Sequence, residues 1–250
     1  DPMRAVETYR MVDEVSPDDQ RAIESLERLF LALEHWQDYL DVLQRKAELT
    51  EELDQRKVIM STIGQTFERE LGDYIGAVET YQAILELDPQ DLGAMRRLDQ
   101  LFERLEQWDD QLLILQTQVE HVDGEEAALN LRFRIARLHE LQLGDLETAI
   151  EGYQQILEDA STHEQARHAL EAMVREDRES NAALGVLEAI LAGDAEWTRL
   201  IGVWNDYLTI GDDLEARSRV RMRIAQTYDE QLADADGAFN AYGEALREDA

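Results

Sequence analysis

Ala5-Val-Glu-Thr-Tyr9 returns unchanged at Ala77-Val-Glu-Thr-Tyr81, and the reading of this repetition decides the fold. A third version, Ala149-Ile-Glu-Gly-Tyr153, follows after another 72 residues, and a fourth, Ala238-Phe-Asn-Ala-Tyr242, after 89. Trp36, Trp108 and Trp197 keep the same beat, as do Ile63, Ile135 and Ile224. Residues 1–72 and 73–144 agree at 25 of 72 positions without a gap. The third unit carries 17 extra residues, which must lie between Tyr153 and Trp197. Self-similarity on this scale means an array of stacked units, each burying its apolar side against its neighbours, and not a closed globule.

Within each unit the apolar spacing is helical, as at Leu26, Leu29, Phe30 and Leu33 and again at Leu40 and Leu43. Ser16-Pro17 and Asp88-Pro89 read as a capping residue before a proline in the first helical position. Ser161 and Glu164 have the spacing of a capping box. Breaks fall at Leu71-Gly-Asp73, Leu143-Gly-Asp145 and Leu232-Ala-Asp234. The pattern predicts an all-α chain of about fourteen helices, each antiparallel to its neighbours across short loops. Four-helix units span 1–72, 73–144 and 145–233, with a partial unit at 234–250 and the extra helix of the third at about 179–191. The alignment starts on the second helix of a hairpin and stops where a new helix would begin, so a fragment of a longer array is expected.

The spacing of small and aromatic residues resembles the tetratricopeptide repeat. Ala77, Tyr81, Ile84 and Pro89 stand at the spacing of that family's second-helix signature. Ala149, Tyr153 and Ile156 repeat it, with Ala160 or Ser161 in place of the proline. Ile63-Gly64 with Phe67, Ile135-Ala136 with His139 and Ile224-Ala225 with Tyr228 match the first helix. Small residues let the two helices of a hairpin approach, and the aromatic fills the space between hairpins. The departure is one of length: two hairpins per 72 residues is 36 each, against about 34 in the family. One residue is extra between the first-helix aromatic and the second-helix alanine. The resemblance covers nearly the whole chain and implies a right-handed α-α superhelix, TPR-like. The hairpins around Trp36 and Trp108 are its most divergent part. The arrangement resembles the long arrays of predatory and gliding, myxobacteria-like organisms with GC-rich genomes; arginine outnumbers lysine by 22 to two. The compartment stays open between bacterial cytoplasm and periplasm.

Charge narrows the function. The 250 residues hold 56 acidic and 24 basic side chains, a net charge of −32. Such a surface repels nucleic-acid phosphates and anionic lipid, so neither is an expected partner, and the same charge argues strongly against an RNA-binding helical array. The charge is either a docking field for a basic partner or simply a means of staying soluble. No cysteine is present, which removes disulfides, thiolate metal sites and a cysteine nucleophile. No apolar run is long enough to span a membrane.

Chemistry is largely missing. There is no glycine-rich phosphate loop and no zinc-helix motif, and His163 and His168 are five apart, not four. The acidic pairs Asp18-Asp19, Glu51-Glu52, Asp109-Asp110, Glu125-Glu126 and Asp212-Asp213 mostly fall at helix starts, where they complement the helix dipole. Trp36, Trp108 and Trp197 each precede apolar residues four and seven places on, which reads as one buried helix face. No cofactor or metal is expected, and a small-molecule ligand is not. The resemblance implies that a protein partner docks along the first helices of the hairpins. There the groove positions are Ser61, Gln65 and Glu68, then Phe133, Arg137 and Glu140, then Met222, Gln226 and Asp229. The lysine and asparagine of a carboxylate clamp are missing from all three. Phe133, Arg137, Glu140, Met222, Gln226 and Asp229 are the candidate partner-binding residues, with Phe133 and Met222 as exposed anchors beside acids. The reading is a non-catalytic interaction scaffold, not an enzyme. The alternative is an accessory region of a larger enzyme or signalling protein.

Overall fold

The computed structural model describes residues 2–16, 18–210 and 214–248, and among these it is all-α. Helices α1 (Pro2–Val15), α2 (Gln20–Leu33), α3 (Trp36–Leu49) and α4 (Leu53–Thr66) are followed by α5 (Tyr74–Leu87), α6 (Leu92–Arg104) and α7 (Trp108–His121). Then come α8 (Glu125–Leu138), α9 (Leu146–Asp159), α10 (Glu164–Arg175) and α11 (Ser180–Gly193). The series ends with α12 (Trp197–Ile210), α13 (Leu214–Glu230) and α14 (Ala235–Glu248). Helix α11 lies within the segment between Tyr153 and Trp197 that holds the 17 additional residues. Two compact units result, Asp1–Val122 and Asp123–Ala250. Their boundary lies inside the second sequence period, between α7 and α8.

The extra residue of each repeat is absorbed as a π-turn. Phe67–Leu71 continues α4 and His139–Leu143 continues α8 with the wider hydrogen-bond spacing. Gly72 and Gly144 follow at φ 64° and 68°, where a side chain would be strained. The third copy has the same geometry: the Leu232 amide donates to the Thr227 carbonyl five residues back, and Ala233 adopts φ 52° without a glycine. A second stop recurs where Glu34, Glu106 and Ala195 turn left-handed and the following amide reaches back to Phe30, Phe102 and Leu191. Helix α10 ends in the same way at Asp177, with the Arg178 amide on the Met173 carbonyl. The third unit therefore holds two such stops, one before α11 and one before α12.

Three caps differ from the sequence reading. Asp19, Asp91 and His163 cap α2, α6 and α10, accepting from Ala22, Ala94 and Ala166 amides. Asp88 instead accepts from the Gln90 amide in the preceding turn and pairs with Lys57 at 2.6 Å, so the helix starts three residues later. Ser161 gives its carbonyl to Arg167. Pro17 and the pair Asp212-Asp213 lie outside the described residues.

Close packing explains the small residues. A methyl group on Gly64 would stand 2.7 Å from the Tyr81 ring, and one on Gly237 would meet Tyr228 at the same distance. Gly76 lies under Phe67 in the same way, whereas the repeat with the smaller ring, His139, carries Thr148 at the Gly76 position. Tyr81 and Tyr153 are fully buried; Tyr9 and Tyr242 are partly so. In the first unit Leu26, Phe30, Leu40 and Leu43 form one core, and Tyr81, Leu98 and Phe102 another. In the second unit a single core runs from Ala136 to Ile224. Trp36, Trp108 and Trp197 are equivalent, each the first residue of its helix, but only half-buried. The correction has a simple cause. A side chain at a helix start leans over the loop before it and covers the edge of the core without entering it.

Candidate partner-binding site

The six candidate residues fall on two stripes of the second unit, each with helical i, i+4, i+7 spacing. On α8 the stripe turns inward. Phe133 is half-buried, its ring 5.8 Å from Tyr153 and 5.5 Å from His163, so the expected exposed anchor is in fact a packing residue. Tyr153 of α9 and His163, the N-cap of α10, pack against it and cover part of it. Glu140 is 5% exposed within the π-turn. Its carboxylate accepts from the Tyr153 hydroxyl at 2.6 Å, from Arg178 at 2.9 Å and from Arg137 at 3.0 Å. Burial, reinforced by that carboxylate, pushes the Tyr153 phenol well above its usual range. Arg137 is thereby engaged inside the protein, although its side chain stays partly exposed.

On α13 the stripe faces out. Met222 is 44% exposed, and Gln226 and Asp229 are exposed as well. None of the three has a hydrogen-bond or ion-pair partner among the described residues. Neighbouring positions hold the helix in place: Arg221 pairs with Glu244 of α14 at 3.0 Å, and Arg223 with Glu188 of α11 at 2.5 Å.

Beside that stripe lies a feature that the sequence did not signal, a cavity of about 480 Å³ between α11, α12 and α13. Gly185 and Glu188 line it from α11, Trp197 and Trp204 from α12, and Gln226 and Glu230 from α13. Gln226 belongs to both cavity and stripe. Helix α11 supplies one wall, and the sequence says that extra residues are present but not where their helix packs. Of the two histidines with near-zinc spacing, His163 caps α10, and His168 lies 3.6 Å from Glu164. Among the described residues no group of three or more His, Asp or Glu side chains is placed to hold a metal ion, and no helix is long and apolar enough to cross a membrane.

Two family models described as tetratricopeptide repeat match the chain, at residues 59–91 and 131–163. These are α4 with α5 and α8 with α9, the two hairpins that carry the π-turns. No curated protein matches the sequence significantly. Among solved structures the chain is similar to YrrB, described as a TPR protein with an unusual peptide-binding site. Identity there is 16% over 67% of this chain and 82% of that one, with a TM-score of 0.40. It is similar to a MamA double mutant at 18% identity, covering 70% of this chain and 94% of that one, with a TM-score of 0.43. A third similarity is to the C-terminal part of a TPR repeat-containing protein from Cytophaga hutchinsonii. Identity is 12% over 94% of both chains, with a TM-score of 0.46. With its two repeat matches, its doubled hairpins and its small-to-aromatic packing, the chain is a tetratricopeptide-repeat-like helical array, built as a protein-interaction scaffold.

Proposed function

We propose that the chain is a non-catalytic scaffold that docks a basic partner segment, with an apolar anchor, along the outward stripe of α13. The observation that carries this reading is the contrast between the two stripes. Glu140 and Arg137 on α8 are consumed by internal partners, while Met222, Gln226 and Asp229 on α13 are exposed and unengaged. A methionine flanked by an amide and a carboxylate suits an apolar side chain followed by a cation. The net charge of −32 favours encounter with such a segment over any acidic competitor. Acidic side chains elsewhere serve as caps and ion-pair partners, as Asp91, Glu164 and Glu188 do, which supports a scaffold without catalysis.

Stopped-flow association with a peptide of alternating leucine and arginine tests the reading. The Debye length falls from ~10 Å at 0.1 M salt to ~3 Å at 1 M, so association should slow markedly over that range while dissociation changes little. Met222→Asp should weaken binding. Equal binding of an acidic peptide, or an association rate indifferent to salt, would leave the charge as a solubility device.

A further inference from the structure

We infer that the cavity walled by helix α11 is a socket for one arginine side chain of that partner segment; the inference rests on the scaffold reading above and assigns its anchoring residue. The cavity exists because α11 presents Gly185, Ala189 and Ala192 to it, three small residues on one helical stripe. A methyl group built on Gly185 would meet nothing within 4 Å, so the space there is open.

The charged groups around the cavity are not equally available. Both oxygens of Glu188 are taken, one by the Trp204 indole N–H at 2.6 Å and the other by Arg223 at 2.5 Å. That pair neutralises Arg223 and fixes the orientation of the Trp204 ring. What remains is the exposed carboxylate of Glu230, with no partner among the described residues, the amide of Gln226, and the half-buried ring of Trp197; Trp204 also lines the cavity but is 5% exposed and belongs to the core behind it. An aromatic wall with one free carboxylate matches a guanidinium, which stacks flat on an indole while its edge donates to a carboxylate in a fork. A lysine ammonium would meet the carboxylate but lacks the planar face. A purely apolar side chain would cover Glu230 without pairing it, and an anion would meet both Glu230 and the field of the whole chain. Gln226 ties the socket to the α13 stripe, so a segment lying along Met222 and Asp229 can lower one side chain into it.

The test uses the whole chain with its indoles labelled with ¹⁵N and followed by NMR. Trp36 and Trp108 belong to the first unit and serve as internal controls. N-acetyl-arginine amide should shift the Trp197 and Trp204 resonances and leave the controls in place, with a smaller effect from the lysine amide and none from the norleucine amide. Gly185→Leu should abolish the shifts while circular dichroism stays helical, and Gly185→Ala should reduce them. Glu230→Gln should weaken arginine binding about tenfold, the worth of one charge-assisted contact. Four indoles shifting alike, equal response to arginine and norleucine, or a Gly185→Leu protein that responds unchanged would each overturn the socket. The leucine-arginine peptide separates the two ideas. If it binds with the expected salt dependence but leaves Trp197 and Trp204 unmoved, the socket falls and the scaffold stands. If no basic peptide binds while the arginine amide still shifts the two indoles, the socket stands and the docking stripe falls.

Discussion

The Tyr153 hydroxyl donates a 2.6 Å hydrogen bond to Glu140, whereas its counterpart in the preceding repeat, Tyr81, has a buried hydroxyl with no partner. Oε2 of Glu68, the counterpart of Glu140, is likewise buried and unpaired. Gln65 stands where Arg137 stands, and Arg178 belongs to the connection leading into α11. Tyr153→Phe should therefore cost about 1–2 kcal/mol, because it takes a donor from a buried carboxylate. Tyr81→Phe removes a hydroxyl that makes no bond and should be neutral or slightly stabilising. Urea unfolding of the two variants tests the contrast; equal losses would mean that the Glu140 bond adds nothing.

Alkaline pH should act through the same tyrosines. Burial raises the phenols of Tyr39, Tyr81 and Tyr153 above the reference of 10.0, most strongly for Tyr153, where Glu140 adds to it. A raised folded-state value means that the native protein holds the proton more tightly than the unfolded chain. Stability is then complete below the unfolded value of ~10 and is lost as pH rises beyond it. Thermal unfolding followed from pH ~9 to ~11 should show a falling Tm, with a shallower fall in Tyr153→Phe. A slope that this substitution leaves unchanged would assign the loss to other groups.

Gly64→Ala should destabilise the first unit although alanine favours a helix. The added methyl would sit 2.7 Å from Cζ of Tyr81, whose ring is 1% exposed and has nowhere to move. Overpacking of this kind costs about 1–3 kcal/mol, against a propensity gain of roughly 1. Combining it with Tyr81→Leu should recover much of the loss if the clash is the cause, a coupling that a double-mutant cycle measures directly.

Arg167 is the staple of the region around α11. It is 1% exposed and reaches the Ser161 carbonyl at 2.5 Å, Glu196 at 2.7 Å and Asp194. It thus ties the start of α10 to the connection between α11 and α12. Removing it leaves an empty buried space, an unpaired Ser161 carbonyl and two partly exposed carboxylates without this partner, so Arg167→Ala should cost about 2 kcal/mol. Arg167→Lys should restore only part of this, since one ammonium cannot serve three separated acceptors with a fixed fork. Hydrogen exchange should quicken in α10–α12 before the rest of the second unit; uniform protection across that unit would sink the assignment.

Much of the fold is legible in the sequence because repetition reports packing several times over. Tyr81 and Tyr153, Ile63 and Ile224, and the insertion before Trp197 place helices and core with no other information. The misreadings have local causes. Asp88 and Ser161 have capping chemistry, but competing hydrogen bonds move the caps to Asp91 and His163. Phe133 and Met222 occupy the same register and differ in fate because Tyr153 and His163 pack against Phe133, a fact of tertiary neighbours that no spacing expresses. The cavity beside Trp204 is illegible for the same reason. It is made by three helices whose adjacency depends on where α11 settles.

The π-turns at Phe67–Leu71 and His139–Leu143 also say how a lineage of such chains can change length. Each residue deleted from a helix turns everything after it by about 100°, which would swing an aromatic away from its pocket. An extra residue is tolerated where a wide turn can take it up and a left-handed residue such as Gly72 or Ala233 can end it. The other tolerated change is an entire helix with its own terminator, as the third unit holds in α11. Length changes that keep the packing should therefore come in two sizes, one residue at the π-turn or a full helix between hairpins.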